Sequence, residues 1–162
     1  KEAKEAARLL MRYGRYASRV QAELLDDKTY NLQTGEFKGV RDEFLALEAR
    51  ALRQYITLDE PAKDAYQELV LFPIQGMANL YDMYYSLAMN KQLYREGRIE
   101  ANTWADRVEE CYKRDSPYRQ WQVESHDGSS AYRLSKLACP AASSYAYGIS
   151  HSAEYPFCRY AA

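Results

Sequence analysis

The sequence predicts an all-α fold, an antiparallel bundle of four to five helices with an irregular C-terminal tail. Three observations predict it. Apolar residues recur at spacings of three and four through most of the 162 residues. The breaks between these stretches are short and rich in turn-forming residues. The periodicity is lost after Gly128, where Ser, Ala and Tyr dominate and Glu154 is the only acid. The division expected is a helical bundle domain over 1–128 and an atypical tail over 129–162, loop-like or disordered.

The elements follow in order. Residues 2–26 read as a first helix, with Ala6, Leu9, Leu10, Tyr13, Ala17, Val20 and Leu24 as its apolar stripe. "DDKTYNLQTGEF" breaks it with turn residues and Gly35. A second helix is expected over 37–57, burying Val40, Phe44, Leu47, Ala51, Tyr55 and Ile56. "TLDEPAKDAY" signals a third start, with Asp59 placed to cap and Pro61 in the first turn, where a missing N–H costs nothing. This helix runs to about Gly97, well past the usual ~8–20 residues. Pro73 and Gly76 stand inside it. A proline there loses a bond and clashes with the carbonyl four residues back, costing about 3 kcal/mol if unrelieved. Gly76 adds about 1 kcal/mol against Ala. A kink or short break is therefore expected over 69–73, with Gly76 allowing close approach of a neighbour. A fourth helix opens at Ile99 and Asn102, the latter a plausible cap, and buries Trp104, Ala105, Val108, Cys111 and Tyr112. Ser116-Pro117 reads as the start of a short fifth.

Composition excludes more than it assigns. With 22 basic and 23 acidic residues the net charge is −1, so no global field draws the chain to nucleic acid or an anionic membrane. No apolar run approaches the ~20 residues that span a bilayer. The chain opens "KEAKEAARLL", already helical and without Met or a signal peptide, and reads as a piece of something longer. Cys111, Cys139 and Cys158 cannot all pair and show no metal-ligand spacing, so reduced, incidental thiols are expected.

Direct chemistry is sparse. His126 and His151 have no partner at ligand spacing and read as surface histidines. Ser125, His126 and Asp127 are adjacent, which is no evidence of a triad, whose members meet in space. Phosphate-cradling and nucleophile-elbow motifs are absent. The many carboxylates fall on predicted polar faces, and no cofactor or metal is expected. Tyr81, Tyr84 and Tyr85 share a helix face, either as a core stripe, the ordinary reading, or as an aromatic platform for sugar. Arg95 and Arg98 lie near a helix end, where they either complement its dipole or bind an anion. Tyr81, Tyr84 and Arg98 are the substrate-contact candidates, and no catalytic residue is assigned.

A resemblance goes further. "ELVLFPIQGMANLYDMYYSLAMNKQLYREGRIEANTWADRVEECYKRD" resembles the helical, C-terminal-region domain of the glycoside hydrolase family 115 xylan α-glucuronidases. The residues that carry it are Leu69, Val70, Leu71, Pro73, Asn79, Tyr81, Asn90, Tyr94, Gly97, Arg98, Ala101, Asn102, Ala105 and Val108. Upstream, Glu23, Leu24, Leu25, Thr29, Tyr30 and Leu32 fit that family's PELL…TYSL-like segment, without its Pro and preceding basic pair, and "DAYQ" fits as well. Pro73 fits the pattern; Gly76 stands where the family more often has Ala or Ser. The resemblance spans roughly residues 8–128 and stops at Asp127-Gly128, after which the Lys-Trp-Asn-His-Met-Met stretch of the family is missing. The tail is accordingly expected to be a divergent, truncated or out-of-frame end, a matter for sequencing the encoding locus.

The resemblance implies an accessory domain of an enzyme that removes α-1,2-linked (4-O-methyl)glucuronic acid from glucuronoxylan by an inverting, two-carboxyl mechanism. It places the catalytic groups in a barrel domain that precedes the helical one, so this chain alone is not expected to hydrolyse anything. The partners implied are that barrel, glucuronoxylan through the parent enzyme, and a second copy in a homodimer; no nucleic acid and no membrane. A secreted or periplasmic parent is the expectation, and the missing signal peptide says nothing about the parent's address. A non-catalytic interaction or dimerisation module, or a carbohydrate-binding module, is the alternative.

Overall fold

A computed structural model of the chain describes residues 2–124 and 157–160, with side chains over 2–114 and 157–160. Every regular element among the described residues is helical. Helix α1 spans Glu2–Ala17, α2 Glu36–Thr57, α3 Glu60–Tyr66, α4 Phe72–Arg95 and α5 Ala101–Glu124. The tail expected over 129–162 lies outside the described residues except for 157–160, which are non-helical.

Helix α1 is shorter than the 2–26 expected. Ser18 Oγ turns back onto the Arg15 carbonyl at 3.0 Å, and the chain leaves the helix for a short 3-10 turn at Ala22–Leu24. That turn buries Leu25 and leaves Leu24 67 % exposed, the reverse of the helical count. Two side-chain-built turns follow. Asp26 Oδ1 accepts from the Lys28 N–H and the Thr29 hydroxyl, both at 2.8 Å, and Asn31 Oδ1 accepts from the Gln33 and Thr34 N–H groups. Gly35, at φ 77°, takes the left-handed conformation that starts α2.

Helix α2 buries Phe37, Phe44, Leu47, Ala51 and Gln54. Ile56, expected in that stripe, is 75 % exposed. Asp59 does occupy the N-cap of α3, with Pro61 in the first turn, yet its side chain makes no capping bond; its backbone carbonyl accepts from Ala62 instead.

The break expected over 69–73 is a π-helical turn at Gln67–Leu71, joining α3 to α4 without leaving helical conformation. The Phe72 N–H reaches the Gln67 carbonyl, five residues back. Widening the turn by one residue draws the preceding carbonyls away from the Pro73 ring, and Pro73 sits where α4 restarts. The helix therefore continues past its proline with a local change of pitch.

Two cores run through the bundle. Leu9, Leu47, Ala51, Leu58, Tyr66, Val70, Leu71 and Ile74 pack together around the turn. Leu25, Phe37, Phe44, Met77, Ala78, Tyr81, Tyr85 and Ala88 form the other, joined by the half-buried Trp104. Helix α4 ends in a Schellman cap: Gly97, at φ 73°, donates to the Tyr94 carbonyl at 3.1 Å, and Arg98 to the Leu93 carbonyl at 3.0 Å. Helix α5 then lies antiparallel on α4, burying Ala101, Ala105, Val108 and Cys111. It runs unbroken through Ser116-Pro117, so no separate fifth bundle helix begins there.

Candidate functional site

Among the described residues, four of the five buried polar side chains lie in a seam between α4 and α5. Asn79, Asp82, Ser86 and Asn90 lie three or four residues apart on α4, hence on one face, and all four are buried. The Asn79 amide donates to the Cys111 carbonyl at 2.9 Å, and Asn90 to the Ala101 carbonyl at 2.7 Å. The falling partner numbers along a rising stripe are the signature of antiparallel packing.

Asp82 is the centre of the seam. Its side chain is wholly enclosed, and three arginines converge on it from two other helices. Arg41 of α2 donates through Nε to Oδ1 at 2.8 Å. Arg107 of α5 donates through Nε and Nη2 to Oδ2, at 3.0 and 2.7 Å. Arg114 Nη2 stands 3.6 Å from Oδ2, and its Nε donates to Asn79 Oδ1 at 2.7 Å. The excess positive charge is shared outward, through Arg107 to Glu110 at 3.0 Å and through Arg41 to Asp42 at 3.7 Å. The Arg41 guanidinium also covers the Tyr85 ring at 4.7 Å.

This field acts on neighbouring groups. Burial pushes the Cys111 thiol up to about 12, and the Asp82 charge, to which its Sγ donates at 3.4 Å, pushes the same way. Glu48 titrates above the ordinary carboxylate range, chiefly because it is buried; the Asp82 charge adds to this and Arg114 opposes it. The seam is thus a closed ionic lock. Both Asp82 oxygens are taken by guanidinium donors, so the carboxylate has no access to an external substrate.

The residues expected to touch substrate lie elsewhere and apart. Tyr81 is fully buried, stacked on Phe44 with ring centroids 4.4 Å apart and its hydroxyl 3.4 Å from that of Tyr30. It belongs to the core stripe and offers no face to a sugar. Tyr84 is half-buried against the same core. Arg98 is exposed just past the α4 cap, paired with Glu100 at 3.0 Å and Glu96 at 3.9 Å. Asn102, expected to cap α5, lies within its first turn and directs its amide to the backbone of Tyr160. His126, His151, Ser125, Asp127 and Cys139 lie outside the described residues, whereas Cys111 and Cys158 are free thiols. Among the described residues no group of three or more His, Cys, Asp or Glu is arranged to hold a metal ion, and no helix is long and apolar enough to cross a membrane.

Sequence reasoning missed Asp82. A signal was present: it is the only acid between Glu68 and Glu96, inside an otherwise apolar, aromatic run. An acid so placed is either on a polar face or buried with partners. Its arginines come from positions 41, 107 and 114, which no local pattern connects. Set against known proteins, the sequence matches no protein-family model, and no curated protein matches it significantly.

Proposed function

We propose that this chain is an accessory helical domain of a glycoside hydrolase family 115-like α-glucuronidase, one that removes (4-O-methyl)glucuronic acid from glucuronoxylan through a catalytic barrel outside the chain. One observation carries the reading. The residues that resemble that family's pattern include the buried framework of α4 and α5: Leu71, Pro73, Asn79, Tyr81, Asn90, Ala101, Ala105 and Val108. They include too the left-handed Gly97 of the cap between the helices. Of the fourteen residues that carry the resemblance from Leu69 to Val108, nine are buried, and Leu69, Tyr94, Gly97, Arg98 and Asn102 are exposed or half-buried. The role that suits such a domain is mechanical, a rigid bundle that packs beside the catalytic unit. The purified chain incubated with glucuronoxylan should release no glucuronic acid, and turnover would overturn the accessory role. Sequencing the locus upstream of the codon for Lys1 should reveal a barrel-encoding frame; an unrelated frame there would remove the glucuronidase reading.

A second reading, a helical interaction or dimerisation module, is favoured by large apolar side chains left in solvent. Met11 and Ile56 are each 75 % exposed and Ile99 64 %. Light scattering at rising concentration tests it: self-association that Met11→Lys and Ile56→Lys weaken supports the module, and a strict monomer removes the dimer.

A further inference from the structure

The end of the bundle where α4 stops and α5 begins holds a short piece of non-helical chain, residues 157–160, in an unusual way. The side-chain amide of Asn90 brackets the backbone of Cys158. Its Nδ2 donates to the Cys158 carbonyl at 2.8 Å, and its Oδ1 accepts from the Cys158 N–H at 2.8 Å. Asn102 does the same to Tyr160, at 3.1 and 2.9 Å. In extended chain the N–H and C=O of one residue point to the same edge, and alternate residues share that edge. Two asparagines spaced to meet residues 158 and 160 therefore imitate the edge of a neighbouring strand. Asn90 is also tied to the Ala101 carbonyl at 2.7 Å, a bond within the bundle that orients its amide independently of the segment.

The side chains between these anchors are read as well. Arg159 projects away from the asparagines to Asp106 Oδ1 at 2.7 Å and Glu109 Oε1 at 2.6 Å, one turn apart on α5. The Tyr160 ring stacks on Tyr94 with centroids 4.6 Å apart, and its hydroxyl donates to the Tyr94 carbonyl at 2.7 Å. Backbone capture by side-chain amides, with an acidic pair and an aromatic platform beside it, is the chemistry of an extended-peptide site.

We propose that Asn90 and Asn102 form a peptide clamp whose ligand is an extended segment ending in Arg-Tyr, and that its occupant is the chain's own 157–160 segment. The amides hold any extended backbone; Asp106 with Glu109 selects arginine, and Tyr94 selects an aromatic ring. This proposal is independent of the glucuronidase reading.

The test is amide hydrogen exchange on the full chain, resolved by residue. The Cys158 and Tyr160 amides should exchange at least about tenfold more slowly than in an unstructured peptide of the same sequence. Asn102→Ala should remove the protection of Tyr160. Arg159→Glu sets like charges against Asp106 and Glu109 and should release the whole segment, with the helical circular dichroism unchanged. A synthetic Glu-Tyr-Pro-Phe-Cys-Arg-Tyr peptide added to the Arg159→Glu chain should then shift the Asn90 and Asn102 side-chain amide resonances, and the same peptide with Arg replaced by Glu should not. Unprotected amides in the parent chain, or Tyr160 protection that survives Asn102→Ala, would overturn the clamp; protection that survives Arg159→Glu would overturn the selection of arginine by Asp106 and Glu109, and the parent-chain measurement decides the clamp if Asn102→Ala fails to fold. Protection that appears only in a dimer would assign the occupant to a second copy and overturn occupation in cis.

Discussion

Replacing Asp82 by Asn tests whether the ionic lock holds the bundle together. The change keeps the shape and removes the charge. In the parent chain Asp82 accepts three arginine donors within 3.0 Å, two on Oδ2 and one on Oδ1. An asparagine offers one oxygen, and its NH2 group must face a guanidinium on the other side. At least one charge-assisted interaction, each worth about 1.5–3 kcal/mol, is lost and replaced by an opposed pair of donors. Breaking a fully buried ion pair costs about 3–5 kcal/mol. The partners here are partly wet, with side chains 40 % exposed in Arg107 and 34 % in Arg114, so they recover hydration and the figure must be discounted. A net loss of about 2–4 kcal/mol is expected. At roughly 3–5 °C per kcal/mol for a domain of this size, the midpoint should fall by about 10 °C. Thermal and urea unfolding followed by circular dichroism at ~222 nm measures it, with the exposed Asp64→Asn as the neutral comparison. A loss of less than about 1 kcal/mol would refute the lock as a source of stability. So would a double-mutant cycle with Arg107→Gln that gives no coupling.

Other outcomes follow from the same geometry. Gly97→Ala should destabilise by about 1 kcal/mol, because an added Cβ meets nothing within 4 Å and the whole effect is the left-handed backbone at φ 73°. Gly39→Ala, in α2 with equal space and no positive φ, should stabilise by about 0.5–1 kcal/mol, so the two melts should move in opposite directions. Cys111, buried and with its thiol pushed up to about 12, should resist alkylation at pH 8 in the folded chain and label only on unfolding, as peptide mass mapping would show. Glu48 supplies a pH dependence whose sign is fixed. Its folded carboxyl titrates above the unfolded one, so the folded state holds the proton more tightly and stability falls as pH rises from the ordinary carboxylate value through the raised one. Glu48→Gln should therefore melt higher than the parent at pH 7.5, and the gap should close near pH 4.

What was legible in the sequence was whatever local spacing determines. The stripe of Phe44, Leu47 and Ala51 and the faces of α4 and α5 follow from residues three and four apart. The break beside Pro73 follows from the missing N–H of one residue. Leu25 is buried where Leu24 was expected because α1 ends at Ala17 and the chain passes into a 3-10 turn at Ala22–Leu24, out of the phase a continuing helix would keep. Asn102 looked like a cap because only its neighbours in sequence could be weighed, whereas its partner is 58 residues away. The arginines around Asp82 are separated from it by 41, 25 and 32 positions, beyond any periodic signal.

The π turn at Gln67–Leu71 has a consequence for how the domain can change. Each residue advances a helix by about 100° around its axis. The turn holds one residue more than an α-helical turn would, so it sets the angular phase between α3 before it and α4 after it. Removing a single residue there would leave a continuous helix but turn α4, with its Asp82 lock, by roughly a quarter turn relative to α3. Length variation of one residue at this point is therefore a rotation of α4 against α3, and the proline marks the place where that rotation is counted.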